Sequence, residues 1–233
     1  MRKVYTRSRF TLVELLIVVG IIAVLAGLVL PAVIGGIQQG RITQAKSDLA
    51  AIMMALKGVE GTYGKMVKKD SSDNCNFQNA TVTPEEKTIN SVKEKFIVLG
   101  AGTVSDDDSP KAYDAFITEL SAPGASGLST RNINVRKIKF LEPKSSFNPD
   151  LAYDNSANTP NLWRDPWGNA YKIYININGN DAIAIGSKTI AAKAAGYSLG
   201  PNGKDDGGCH VDLNTCISSG DHKLHDDIAT WNN

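Results

Sequence analysis

Carboxylates, thiols and imidazoles are the side chains of this sequence that could do chemistry, and their spacing narrows what that chemistry is. Glu14 stands at the start of an otherwise uncharged apolar run. A lone carboxylate among apolar residues at a membrane edge is costly unless something pairs with it, which makes Glu14 a candidate contact. The plainer alternative is that it rests in a headgroup region. Near the other end, Cys209, His210, Cys216, His222 and His225 could together hold zinc. Their spacing matches no zinc pattern, and Cys209 and Cys216, with six residues between them, read rather as a disulfide in an oxidising compartment. Cys75 is then left alone. Asp106-Asp107-Asp108 could take a cation, although a short acidic run on a loop is more often simply solvated. There is no Gly-x-Ser-x-Gly turn, no His-Glu-x-x-His and no phosphate loop, so the chain does not read as an enzyme.

The elements that must position these groups come from the hydropathy pattern. The chain has 233 residues with 25 Lys+Arg against 24 Asp+Glu, a balance that argues against a nucleic-acid-binding protein. Hydrophobic residues make up 42%, concentrated near the N-terminus. Residues 1–9, MRKVYTRSR, carry four positive charges and no negative one. From Leu15 to Ile37 there follow 23 residues without a charge. As a helix this run is roughly 34 Å long, enough for a bilayer core of about 30 Å, and the basic flank places the C-terminal bulk outside the cytoplasm. The run is too long for the core of a cleaved secretory signal.

Residues 41–60 continue the helix. Ile42, Ala45, Leu49, Ile52, Leu56 and Val59 recur at spacings of three and four, one apolar stripe that predicts packing against the protein's own sheet. Gly58, Gly61 and Gly64 put the helix end near 58–64. A single helix from 10 to 60 would be roughly 75 Å long. In the middle, Thr83-Pro84-Glu85-Glu86 predicts a helix near 84–95, and Ser109-Pro110 another near 110–120. Residues 121–132 read as a loop. Tyr171 to Ile177 alternates as a strand, Asn178-Gly179-Asn180-Asp181 as a turn, Ala182–Ile185 as a returning strand and Tyr197–Leu199 as a third. The sheet would cover the helix stripe in one two-layer α+β domain.

Phe10-Thr11-Leu12-Val13-Glu14-Leu15-Leu16 resembles the N-terminal signature of type IV pilins and type II secretion pseudopilins. The resemblance implies a cut by prepilin peptidase between Arg9 and Phe10, methylation of the new amine of Phe10, and docking of Glu14 onto that amine of an adjacent subunit. Where the family has Gly before the cut, this chain has Arg9. Pro31 falls where many pilins have a helix-kinking proline. Asp165-Pro166-Trp167-Gly168-Asn169-Ala170-Tyr171, Tyr197-Ser198-Leu199-Gly200-Pro201-Asn202-Gly203 and Asp227-Ile228-Ala229-Thr230-Trp231-Asn232 resemble, in order, three segments of the major pseudopilin, the G subunit. Residues 65–160 and 204–226 then stand as insertions.

The resemblance implies an α+β fold: a long N-terminal helical spine, its first half (10–38) membrane-spanning and 39–60 amphipathic, packed on a small antiparallel sheet in a periplasmic head over 61–233. It also implies a C-terminal calcium loop, with the Leu199 carbonyl, Asn202, Asp227 and one or more of Asp205, Asp206 and Asp226 as oxygen ligands. Functionally it implies a subunit held in the inner membrane, then self-associating with other pseudopilins into a periplasmic filament on the inner-membrane secretion platform to drive protein export. A type IV pilin forming a surface fibre, or a permanently anchored periplasmic binding protein or enzyme, are the alternatives.

Overall fold

A computed structural model describes residues 11–78, 80–100, 109–121, 124, 131–142, 163–186, 188–205 and 227–230. The chain divides into two compact units, Met1–Arg41 and Ile42–Asn233. Helix α1 (Leu12–Tyr63) begins in the first and ends in the second.

In the first unit much of the described helix surface is apolar and exposed: Leu15, Leu16, Ile17, Val19, Ile21, Ile22, Val24 and Leu25 all keep more than half of their surface. The expectation of a membrane-spanning first half is corrected here. Among the described residues no helix is long and apolar enough to cross a membrane.

In the second unit the stripe does what its spacing predicts. Ala45, Leu49, Ile52, Leu56 and Val59 are fully buried, with Ile42 packed at the margin. The helix stops at Tyr63 because Gly64 takes a left-handed conformation (φ +74°), and its N–H closes back on the Glu60 carbonyl at 2.7 Å.

The stripe lies on a five-stranded antiparallel sheet in the order β3-β4-β5-β8-β9. Its strands are β3 (Glu85–Ile89), β4 (Val92–Leu99), β5 (Lys172–Asn176), β8 (Ala194–Ser198) and β9 (Ile228–Ala229). Two small hairpins flank it: β1 (Cys75–Phe77) with β2 (Ala80–Val82), and β6 (Ile183–Ile185) with β7 (Lys188–Ile190). Alternation along the strands divides the core. Ile97, Leu99, Ile173 and Ile175 join the stripe of α1 and helix α2 (Ser109–Ser121), while Phe96, Val98, Tyr174 and Tyr197 pack with Ile183 and Ile185. Helix α2, on the residues the Ser-Pro start predicts, buries Ala112, Tyr113, Phe116, Ile117 and Leu120.

Two expectations for secondary structure fail for identifiable reasons. Residues 84–95 form no helix. Asn90 and Ser91 both take positive φ (49° and 67°), the geometry of a two-residue hairpin turn, with Ile89 opposite Val92. The capping pattern at Thr83–Glu86 is outweighed by the β-branched Thr88, Ile89, Val92, Ile97 and Val98. The turn at 178–181 also does not return its chain onto β5. Strand β6 pairs with β7, and β5 lies between β4 and β8. Asn176 directs this exit: its Nδ2 donates to the Ala182 carbonyl at 2.7 Å and its Oδ1 accepts from Asn178 N at 2.8 Å. At Gly100, after β4, the backbone comes so close that a Cβ would lie 2.0 Å from the Tyr171 carbonyl oxygen, and φ is +111°.

Candidate functional site

At the start of α1, Thr11 and Glu14 form a reciprocal cap. The Thr11 hydroxyl accepts from Glu14 N at 3.3 Å, and Glu14 Oε2 accepts from Thr11 N at 2.9 Å and from Thr11 Oγ1 at 2.8 Å. This is the Thr-x-x-Glu capping box, which satisfies helix donors that have no partner within the helix. These four residues lie within the seven-residue pilin-like signature, and their Thr-x-x-Glu spacing is the signal for the cap. Pro31 lies inside α1; Arg9 and Phe10 lie outside the described residues.

In the head, the three C-terminal segments singled out by resemblance meet. Asp165, buried, organises the first of them. Its Oδ1 accepts from Trp167 N at 3.0 Å and Asn169 N at 2.7 Å, while its Oδ2 accepts from Ser198 Oγ at 2.6 Å. The turn is closed by Asp165 N donating to the Asn169 carbonyl at 2.8 Å. Asn169 Nδ2 then reaches the Gly200 carbonyl at 3.3 Å, joining the first segment to the second. The third segment pairs as β9, with Ala229 opposite Tyr197 and Ile228 opposite Ser198, and Thr230 Oγ1 accepts from Gly196 N at 3.2 Å. Tyr171 donates to Asp48 Oδ2 on α1 at 2.6 Å, so the first segment is also tied to the helix. Burial, then that acidic partner, raises the Tyr171 phenol well above its ordinary pKa, which keeps it a donor.

Residues 199–205 form the turn above β5 and β8 on which a calcium loop was expected. Leu199 is buried in the core beside Tyr197. Asn202 Oδ1 accepts from Lys204 N at 2.6 Å. Asp205 has both oxygens occupied by protein donors: Oδ2 takes Lys172 Nζ at 2.5 Å and Oδ1 takes the Tyr197 hydroxyl at 2.6 Å. Asp227 is fully buried immediately before β9. Asp206, Asp226, Cys209, Cys216 and the histidines at 210, 222 and 225 lie outside the described residues. A hard dication needs six to eight oxygens; in this arrangement the oxygens of Asp205 and Asn202 accept from an ammonium, a phenol and a backbone amide. From the sequence, Lys172 and Tyr197 have strand positions but no part in the site. A lysine within the alternating strand 171–177 was the available signal.

Lys172 lies opposite Tyr197 in the β5–β8 ladder, with only 8% of its side chain exposed. Its Nζ is 5.8 Å from the Tyr174 ring centroid and 6.0 Å from that of Tyr197, and the two rings stack at 6.2 Å. Burial works against its charge. Tyr174 and Asp205 outweigh it, so its pKa lies above the usual lysine value. Burial, followed by Tyr174 and Asp205, raises Tyr197 well above the usual phenol range.

The middle of the chain holds a second buried cluster. Glu119 on α2 accepts Asn132 N at 2.8 Å on Oε2 and both Ile133 N (2.8 Å) and Asn134 N on Oε1. The Asn132 and Asn134 side chains tie this segment to Lys68, Asn76 and Tyr63. On the same helix Asp114, also buried, has Arg164 Nη2 at 3.7 Å and no hydrogen bond to Oδ1; burial pushes its pKa up to about 7. Cys75 is buried and its thiol is pushed up to about 12, chiefly by burial, which makes it a poor nucleophile at neutral pH.

No family model and no solved structure matches the chain. The type II secretion system core protein G of Pseudomonas aeruginosa is 46% identical to it over 50 residues. That match takes in 22% of this chain and 35% of the relative, so the chain spans about a third of the relative's length. The similarity supports a pseudopilin-like relationship and a connection to secretion.

Proposed function

We propose that this chain is a structural pseudopilin-type subunit, which polymerises with copies of itself and with other pseudopilins into a filament on the periplasmic side of the inner membrane, and so drives protein export by a type II secretion system. The observation that carries this reading is the surface of α1 in the first unit. Leu12 is 79% exposed, and the described leucines, isoleucines and valines from 13 to 25 are close to half exposed or more. So much contiguous apolar surface marks an interaction site, and identical helices of neighbouring copies are the occupant that the pseudopilin-like relationship favours. Processing by prepilin peptidase would free the Phe10 amine, and Glu14 would exchange its bonds to Thr11 for that cation on the adjacent copy.

The test separates capping from charge. Glu14→Gln keeps a capping-box residue but removes the negative charge, whereas Glu14→Leu removes both. Each variant is expressed in a strain deleted for this chain, with filament cross-linking and export of the strain's secreted proteins as readouts. Loss of both readouts in both variants is expected. Filaments and export that persist in both would overturn the reading and favour an anchored binding protein or enzyme. Loss of surface fibres with export intact would favour a type IV pilin.

A further inference from the structure

Lys172 is the feature of the head that simple packing does not explain. It sits on β5, the middle strand of the sheet, on the face shared by Tyr174 and Tyr197. A leucine or methionine would fill the same space without the penalty of withdrawing an ammonium from water. The ammonium is met on all described sides by groups suited to a cation: a carboxylate oxygen of Asp205 at 2.5 Å and the faces of two stacked tyrosines. The same Asp205 carboxylate receives the Tyr197 hydroxyl, which sits directly across the ladder from Lys172. Lysine, tyrosine and aspartate thus form a closed set that fastens the end of the 199–205 turn to the centre of the sheet.

We propose that the Lys172 ammonium is the resident cation of this turn, holding Asp205 in place as a bound metal ion would, so that the turn takes no divalent cation and the head folds to full stability without calcium. A dication at Asp205 would have to displace both the ammonium and the phenol, and would then lie beside the displaced positive charge in a poorly solvated site. Asn202, an uncharged amide whose Oδ1 also accepts from Lys204 N–H, could replace only one of the six to eight oxygens that a dication needs. This cation role belongs to the folded head and does not depend on polymerisation.

The experiment uses the full chain in detergent, followed by tryptophan fluorescence through thermal unfolding, in millimolar calcium chloride and in millimolar EGTA. For the parent the two midpoints are expected to agree within about 1 °C, since a ligand well above its dissociation constant would shift them by several degrees. Lys172→Met and Asp205→Asn are each expected to lower the midpoint by several degrees. The double variant should lose measurably less than the sum of the two single losses, because the pair is coupled. Lys172→Met should in addition become calcium-responsive, because it leaves the carboxylate without its ammonium. Asp205→Asn, a partly exposed and isosteric change, keeps the test informative if Lys172→Met fails to fold. A calcium-dependent rise in the parent overturns the proposal, whichever loop oxygens hold the ion. Additive losses in the double variant, or no loss in either single variant, also overturn it.

Discussion

Asp165 and Glu119 are both buried carboxylates that organise a loop by accepting backbone N–H groups, but they do so over different distances along the chain. Asp165 takes N–H groups two and four residues ahead of itself and adds one hydroxyl from β8. Glu119 takes three consecutive N–H groups lying 13 to 15 residues away and belongs to a different element from all of them. A short-range clasp shapes a turn that the chain could begin to form by itself. A long-range clasp has to close a loop first, so its three bonds must offset loop-closure entropy as well as the desolvation of the carboxylate. The two sites also differ in what they can accept. Asp165 faces two amides on one oxygen and a hydroxyl, which can reverse its role, on the other. Both oxygens of Glu119 face obligate donors.

That difference is open to attack by neutral isosteres. The largest effect is expected from Glu119→Gln, whose NH₂ group must face a backbone N–H with no acceptor available; a loss of about 3 kcal/mol or more in chemical denaturation is expected. A loss below about 1 kcal/mol would mean that the segment 131–134 is not held by this carboxylate.

Asp114, five residues earlier on α2, provides the counter-example of a buried carboxylate whose needs are not met. Its folded pKa of about 7 lies above the ordinary 3.8. Below pH 4 both folded and unfolded chains hold the proton and nothing is lost. As pH rises from 4 towards 7 the unfolded chain releases the proton first, so the folded state loses stability through that window. Asp114→Asn is therefore expected to raise stability by about 2 kcal/mol at pH 8 and by little at pH 4, read from denaturation midpoints at the two pH values. Equal effects at both pH values would show that Arg164 pairs with Asp114 well enough to keep it ionised.

The smallest effect belongs to Asp165→Asn. An amide oxygen can keep the Trp167 and Asn169 bonds while its NH₂ donates to Ser198 Oγ, so about 1 kcal/mol is expected. A loss as large as that of Glu119→Gln would remove the distinction between the two clasps.

What could be read from the sequence follows the same divide between local and distant contacts. The α1 stripe, the end of that helix at Gly64, helix α2, strand β5 and the turn at 178–181 all depend on neighbours a few residues away, and their residues announce them. The fate of that turn, the pairing of β6 with β7 and the placing of β4 beside β5 depend on contacts such as Leu99 with Ile173, and periodicity carries no register across such gaps. The candidate site divides likewise. The segments carrying Leu199, Asn202 and Asp227 were legible, but the partners of Asp205 were not, because Lys172 lies 33 residues upstream on a strand where alternation says only which side it faces. The Thr11–Glu14 cap rests on a local Thr-x-x-Glu spacing, the kind of contact a sequence carries.

Strand β3 has a consequence for the proposed assembly of many copies. Among the described residues it forms one border of the five-stranded sheet, and four of its five residues are exposed, including Glu85, Glu86 and Lys87. Glu86 is also bridged to Lys93 across the hairpin at 2.8 Å. A bare strand border is a template for cross-β growth whenever heads are crowded together. Charges of both signs along this border make templating unfavourable, and the opposite border, β9, is only two residues long. Borders of this kind, one charged and one very short, disfavour edge-to-edge pairing of neighbouring copies in the proposed filament.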